Sequence, residues 1–489
     1  MIVKYSIVAL YFLVLIVLGA MASRRVRTLE DYYVGGKKLG YWVVAFSTRA
    51  TGESAWLLLG LTGLGAFAGY SAFWVVLGEV LGVSVAWFLM AKPFKRLTDQ
   101  YHSITVPDYL HSHFNARSNT LRAVAAGALT VFVIIYISAQ IDATGSAFES
   151  FLGWNYYLGA LVGFIIVVVY ILYGGFVAVA WSDVFQGSLM FLGLVLLPIY
   201  MILHIGSWEA VGTKLHQIDP ALTNIFGAGG FNTYNLFTII GYAVIGLGFM
   251  GSPQVFVRFM SIKDQSEITK GRWVALIFTV LTDTAAVCIG ILGRYLFTES
   301  GTDVQGVLGN GAQNVLPMSV ESLLPLALEA TYIAVVLAAI MSTIDSLLVV
   351  GSSAITHDFD QKIFRRPRKN LARHSRNVTL GMAIVALLIA LTVSVLSPTR
   401  TIFWFVIFGW SGIAATFCPV IILSLLWKEY NESGALASMI TGFLSVPLFK
   451  FGATSLPEVG VYFIQVAELM PSFVLAILVG ILVTKFTNS

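Results

Sequence analysis

Charge is what this chain has least of. Only 11% of its 489 residues are Asp, Glu, Lys or Arg, against about 25% in soluble domains. Hydrophobic residues make up 57%. Soluble enzymes are excluded as a class, and a polytopic membrane protein remains. Cysteine is nearly missing. Cys288 and Cys418 both sit in apolar runs, so they read as reduced packing residues and not as a disulfide framework. No zinc-ligand spacing, phosphate loop or dinucleotide fingerprint at a strand–helix junction occurs. The net charge of +4 implies no nucleic-acid partner, because the positive residues lie in short loops between apolar runs. The partners left are a lipid bilayer and a small molecule. No obligatory protein partner is evident.

Long apolar runs take the place of what is missing. Thirteen reach spanning length, near 5–22, 41–67, 71–93, 121–150, 156–174, 183–205, 234–257, 272–297, 323–354, 377–397, 401–427, 431–450 and 466–485. A run of about 20 residues at 1.5 Å each crosses a bilayer as a helix. The expected architecture is therefore all-α, with about 13 transmembrane helices in a single domain over 1–489. Lys4 is the only positive residue before the first run, while Arg24, Arg25 and Arg27 follow it. That asymmetry predicts an uncleaved helix with its N-terminus outside. On this start, 23 of the 29 Lys and Arg fall inside and five outside. The inside set includes Arg258 after the seventh run, and Arg368 and Lys369 in the basic linker 358–376. The C-terminus is then cytoplasmic and the membrane the plasma (inner) membrane. The linker serves topology and attraction to anionic lipid. Two polar segments, 206–234 and 298–321, form either short external helices or plain loops.

One run is interrupted in its middle. Residues 41–67 read YWVVAFSTRATGESAWLLLGLTGLGAF, with Arg49, Thr51, Gly52, Glu53 and Ser54 at membrane depth. Non-helical backbone survives there only when it is buried in protein or lines a wet cavity. An unwound stretch frees carbonyls for a cation and turns a half-helix N-terminus toward a substrate carboxylate. The competing reading is a kinked helix with an internal Arg49–Glu53 pair at i,i+4 spacing. The seventh run, GYAVIGLGFMGSPQVF, carries Gly246, Gly248, Gly251 and Pro253. Two interrupted spans at corresponding places mark a central site, although glycines also serve close packing. If the first run is extra, two five-helix sets result: a first repeat at about 41–205 and a second at about 234–427, with flanking helices 5–22, 431–450 and 466–485.

Ionisable residues inside spans are costly and mark function. In AVVLAAIMSTIDSLLVVGSSAITHD, residues Ser342, Asp345 and Ser346 share one helical face, with Thr343 beside it. Hydroxyls and a carboxylate suit a hard cation, or the hydroxyls return their bonds to the helix carbonyls. Asp183 stands at the start of the sixth run, either as a ligand or as a first-turn carboxylate. Gln140 and Asp142 are candidates for the cavity wall, and Asp283 pairs equally well with Arg272 or Arg294.

With these residues in place, the chain resembles the solute:sodium symporter family, and within it the bacterial sodium/proline symporters. The similarity rests on YYVGGKKLG, SAWLLLG, SITVPDYL, GGFVAVAWSD, GFMGSPQVFVRFM, AAIMSTIDSLL with SSAITHD, and FGWSGIAATFCPV. It implies a leucine-transporter-type 5+5 inverted repeat, with one extra N-terminal and two extra C-terminal helices. It also implies sodium-driven uptake by alternating access, with Na+ as the coupling ion. Carried over, the main sodium site is made of the carbonyls of Ala50, Glu53 and Ala339 with the hydroxyls of Ser342 and Thr343. A second cation or proton site maps to Asp183, Ser342, Asp345 and Ser346. The substrate set is Gly52, Ser54, Trp56, Tyr136, Gln140, Phe249 and Pro253, with Gln140 taken from the residues themselves.

The chain departs from the proline symporters at four positions. They have an Asp at Gly52, an apolar residue at Glu53, a Trp at Ile245 and a Tyr at Phe249. Two further readings accompany sodium-coupled amino-acid import. One is a proton-coupled symporter of an amino acid or small organic anion, using Glu53, Asp183 or Asp345. The other is a transporter-like solute sensor. The last run ends shortly before Ser489, which speaks against a fused output domain.

Overall fold

The structure, a computed structural model, describes residues 2–25, 28–366 and 370–488. Arg27, Arg368 and Lys369 of the positive-residue count lie outside the described residues. Among the described residues the named elements are all helical. The principal ones are α1 (Ile2–Ser23), α2 (Tyr41–Ala55), α3 (Phe73–Val85), α4 (Thr120–Leu152), α5 (Tyr156–Ile205), α6 (Thr233–Ala243) and α7 (Pro253–Ser261). They continue with α8 (Gln265–Phe297), α9 (Leu326–Ser353), α10 (Leu371–Leu396), α11 (Ile402–Leu426), α12 (Glu432–Pro447) and α13 (Leu469–Asn488). Polar residues at the run boundaries start several of them. The side chains of Asn155, Asp264, Thr401 and Asn431 accept from the first free backbone N–H groups of α5, α8, α11 and α12.

Eleven helical stretches among the described residues are long and apolar enough to cross a membrane, a count that does not by itself confirm the expected thirteen. The runs 41–67 and 71–93 lie in one helical stretch of 60 residues, Tyr41–Gln100. A straight helix of that length would be about 90 Å long. The chain instead turns at Gly69, whose φ of 60° is left-handed. The run 156–174 corresponds to the shorter apolar helix Tyr156–Val169. α5 carries on past it through a break at Gly175 (φ 55°, ψ −159°). The two polar segments hold short helices, Trp208–Ile218 in one and Val304–Leu308 with Val315–Leu323 in the other.

The bundle is built around α9. Every residue of its most apolar window is buried, as expected for a helix that is hydrophobic all round. It packs against α1, α2, α4 and α5. Lipid-facing residues are left to outer helices such as α1, where Leu10, Leu13 and Ile16 are exposed. α3 lies backbone-to-backbone on the segment that joins α6 to α7. A Cβ on Gly78 would fall 1.9 Å from the Ala243 carbonyl oxygen, and one on Gly246 would fall 1.9 Å from the Gly78 oxygen. The glycines of the second interrupted span therefore serve packing, the alternative left open by the sequence.

One end of α9 is clamped. Arg122 bridges Asp108 at 2.9 Å and Asp358 at 3.4 Å, and Thr105 Oγ1 donates to Asp358 at 3.2 Å. Burial pushes the Asp108 carboxyl up, but His357 at 3.8 Å and the Arg122 guanidinium outweigh it and hold the group at about 2. Its contribution to stability is present above the ordinary carboxylate range and is lost only as pH falls through about 2.

Candidate functional site

α2 and α9 meet where α2 breaks. Ser54 has φ 48° and ψ −167°, a conformation far from helical. Just before the break, Ser342 Oγ donates to the Ala50 carbonyl at 2.9 Å and to the Ala339 carbonyl at 3.1 Å. Thr343 Oγ1 donates to the Thr51 carbonyl at 3.1 Å and to Ala339 at 3.2 Å. Five hard oxygens from two helices thus converge, all of them buried. This donor set fits a small alkali cation. The Glu53 carbonyl, expected in the same set, accepts the Trp56 N–H across the break, and the Thr51 carbonyl is an oxygen the sequence did not assign.

The residues of the second proposed ion position gather around a protein side chain. Arg258, from α7, is fully buried, which corrects its assignment to a loop. Its Nη2 donates to Thr51 Oγ1 and Ser346 Oγ at 2.5 Å each and to Asp183 Oδ2 at 3.0 Å. Nε donates to Ser47 Oγ at 2.8 Å, and Nη1 donates to the Gln254 carbonyl. Ser47 Oγ in turn donates to Asp183 Oδ2 at 2.5 Å. Ser346 Oγ also lies 3.2 Å from Asp345 Oδ1. Asp183, Asp345 and Ser346 are brought together as expected, but around a guanidinium.

A third buried assembly lies on the opposite side of α2. Arg49 is paired with Glu53, the i,i+4 partner expected of it, and with Glu79 of α3 at 2.8 Å. Asp283 of α8 completes the group. Glu53, Glu79 and Asp283 each place a carboxylate oxygen within 4.8 Å of the others. Asp283 therefore pairs with neither Arg272 nor Arg294. Arg272 stacks on Phe88 and Trp273 instead.

The substrate residues form a chain around the break. Tyr136 Oη donates to Ser54 Oγ at 3.4 Å, and Gln140 Oε1 accepts the Ala55 N–H at 3.1 Å. Gln140 Nε2 is buried without an acceptor. Trp56 Nε1 donates to the Gly52 carbonyl at 3.1 Å. Phe249 lies 4.9 Å from Trp410, whose ring is 6.3 Å from that of Tyr136. Pro253 opens α7. Asp142 does not line this region. It accepts from Arg400 and from Tyr156 Oη at 2.5 Å, nearer the end of the bundle. A cavity of about 670 Å³ is bordered by Leu64, Phe67, Tyr242, Trp404, Lys450 and Glu468. Leu64, Phe67 and Trp404 also border a second cavity of about 180 Å³, whose wall includes Phe403. The Phe403 ring lies 6.3 Å from that of Trp56.

Sequence reading missed Thr51 as a carbonyl donor, Glu79, Trp410 and Arg258. Arg258 had a signal. It sits in PQVFVRFM, with apolar residues on both sides, where a loop arginine would be out of place.

A family model for the sodium:solute symporter family matches residues 32–442. The osmoregulated proline transporter OpuE of Bacillus subtilis is 33% identical over 98% of this chain and 94% of its own. The sodium/proline symporter of Escherichia coli is 31% identical over 92% of this chain and 88% of its own. A solved sodium-coupled sialic acid symporter, in a substrate-bound outward-open state, superposes with a TM-score of 0.78 over 98% of both chains at 17% identity. That likeness carries the fold, the leucine-transporter-type helical architecture. The proton-coupled and sensor readings are not favoured by these findings. The chain belongs to the sodium:solute symporter family and is a membrane transporter, not an enzyme.

Proposed function

We propose that this protein imports proline, or a closely related amino acid, together with sodium across the plasma membrane by alternating access. The observation that carries the coupling is the convergence of Ala50, Thr51, Ala339, Ser342 and Thr343 at the break of α2. The choice of substrate is supported by relatives named as proline transporters.

Sodium bound among these oxygens ties α2 to α9 and holds the break in one conformation. The substrate carboxylate then reaches the start of the second half-helix. The donors available there are the Ala55 N–H, now bonded to Gln140 Oε1, and Gln140 Nε2, which has no acceptor. Ser54 and the Trp56, Tyr136 and Phe249 rings surround the apolar part, with Gly52 and Pro253 setting the backbone. Ion and substrate are coupled because both favour the same conformation. The 670 Å³ cavity is the outer vestibule on this reading, with the N-terminus outside and the C-terminus cytoplasmic. The two repeats are 41–205 and 234–427 within a single domain over 1–489, and helices 5–22, 431–450 and 466–485 flank them.

The test is labelled proline uptake into proteoliposomes, with sodium and proton gradients imposed separately. Sodium alone is expected to drive it. Uptake that follows the proton gradient without sodium would remove the ion assignment. Sodium-driven uptake of another amino acid in place of proline would remove the substrate.

A further inference from the structure

The clamp at the end of α9 does not use every atom of the side chains it joins. Arg122 engages Asp108 Oδ1 at 2.9 Å and Asp358 Oδ1 at 3.4 Å, and Thr105 Oγ1 donates to the same Asp358 oxygen. Asp358 Oδ2 is buried without a donor. Asp108 Oδ2 accepts the Ile104 N–H at a long 3.4 Å. His357 Nε2 lies 3.8 Å from Asp108 Oδ2, too far for a hydrogen bond, and is buried without a partner. His357 is 5% exposed and Asp358 0%. Asp108, His357 and Asp358 each bring one ligand atom within 4.8 Å of the other two.

The imidazole is fixed from its other side. His357 Nδ1 lies 3.2 Å from Gln361 Oε1. An amide oxygen only accepts, so Nδ1 carries the proton and Nε2 presents a lone pair. A second proton on Nε2 would be buried with no acceptor in reach, which is costly. Metal-ligating histidines are oriented in this way, through a hydrogen bond at the nitrogen that does not bind, and ligating carboxylates are themselves hydrogen-bonded. Arg122 and Thr105 fill that outer role for the two acids. A cation between Nε2 and Oδ2 takes over the attraction that a charged His357 would exert on Asp108. The segment that carries His357 and Asp358, Ala354–Ile363, is wound as a π-helix, a rare geometry that is frequent at functional sites.

The ligand types choose the ion. Magnesium and calcium take oxygen ligands, whereas one imidazole with two carboxylates suits zinc. Ligands about 2.1 Å from a tetrahedral metal lie about 3.4 Å apart, so the separation of Nε2 and Oδ2 closes by only a few tenths of an ångström. Two carboxylates outweigh the single guanidinium, and a divalent cation is attracted in spite of the arginine.

We propose that Asp108, His357 and Asp358 form a zinc site that ties the short helix Val106–His113 to the end of α9, with water in the fourth position. The site goes beyond sodium-coupled transport and does not rest on it. Zinc bonded to both segments holds them in the arrangement seen, so the loaded protein is the more stable one.

The experiment adds zinc to the metal-stripped, untagged full-length chain in detergent, read by isothermal titration and by melting temperature. One zinc per chain and a raised melting temperature are expected, and neither with magnesium. H357L takes away the nitrogen ligand and is expected to weaken zinc by about 100-fold, and Q361A, which only frees the ring, by about tenfold. H216Q, at an exposed histidine, is expected to bind as the wild type does. A wild type that takes up no zinc leaves a plain ion pair and overturns the proposal. H357L that binds as tightly as the wild type places the zinc elsewhere and also overturns it. If H357L does not fold, Q361A decides, and an unchanged zinc affinity there rejects the site.

Discussion

Two arginines are wholly buried beside the two helix breaks, and the protein accommodates them in opposite ways. Arg258 is surrounded mainly by neutral oxygens. Ser47, Thr51, Ser346 and a backbone carbonyl share its N–H groups with the Asp183 carboxylate. Arg49 instead faces Glu53, Glu79 and Asp283, while its Nε and Nη1 find no acceptor. Hydroxyls satisfy a guanidinium without adding charge, so the Arg258 assembly is nearer to balance, although Asp345 stands beside Ser346 and Asp183 Oδ1 has no donor. Carboxylates add charge faster than one arginine offsets it. The Arg49 assembly is acidic, with Glu53 Oε2, Glu79 Oε2 and Asp283 Oδ2 left without donors. One assembly is organised as a permanent joint between helices. The other is organised around an excess of negative charge beside the break of α2.

Removing the cations is the harshest way to break the comparison. R49A strands three buried carboxylates, and breaking a buried ion pair costs about 3–5 kcal/mol. It is expected to be the most destabilising single change, read as the melting temperature of the purified protein in detergent. A melting temperature unchanged in R49A would show that the carboxylates do not depend on the arginine. Neutralising single acids sharpens the contrast. D183N removes the carboxylate that Arg258 bonds at 3.0 Å, and weakening that pair is expected to cost about 3 kcal/mol. D283N removes one charge of the excess and is expected to leave melting unchanged or raise it. Equal losses at the two positions would erase the distinction between the assemblies.

The sequence made some of this legible and hid the rest for physical reasons. Apolar run length located the helices, because every backbone group in lipid must be bonded internally. It also separated the crossings 41–67 and 71–93, which the chain joins through the tight turn at Gly69. The broken stretch was readable because polar residues at membrane depth are rare, and the Arg49–Glu53 pair followed from helical spacing. Glu79, Asp283 and Arg258 were individually visible but had no local partner. Their bonds reach across the fold: Arg258 is 207 positions from Thr51 and 75 from Asp183. A tally of positive residues treats such an arginine as a loop residue, since charge alone does not report burial. The departure at Gly52 was visible, yet its meaning depends on Phe249, which the chain brings against it from the segment between α6 and α7.

The convergence of α2 and α9 gives the next effect in size. Thr343 Oγ1 serves the Thr51 and Ala339 carbonyls together. T343A removes one ligand oxygen and takes its donor from the Thr51 carbonyl, while Ala339 keeps that of Ser342. The apparent sodium affinity of uptake is expected to weaken by about tenfold, which corresponds to about 1.4 kcal/mol. An unchanged sodium dependence would move the site away from this pair of helices. The effect belongs to affinity, so maximal uptake at saturating sodium is expected to recover, unlike the stability losses at Arg49 and Asp183.

The smallest effect tests why the acidic assembly and the substrate region stay separate. Phe249 lies between them: the Arg49 guanidinium sits 4.6 Å from its ring centroid, and Trp410 packs on it from elsewhere. The ring reaches this position only because residue 52 has no side chain. A Cβ on Gly52 would fall 2.6 Å from Phe249 Cε1. The glycine and the phenylalanine therefore form one unit, and a larger residue at 52 requires the ring to move. G52A is expected to cost about 1 kcal/mol through overpacking and to lower substrate affinity, because the displaced ring no longer covers Arg49. F249L shortens the side chain at the point of conflict, so G52A/F249L is expected to regain part of what G52A loses. If the double variant is worse than the sum of the singles, the two positions do not act as a steric pair, and Phe249 matters to the substrate by itself rather than as the partition between two differently charged regions.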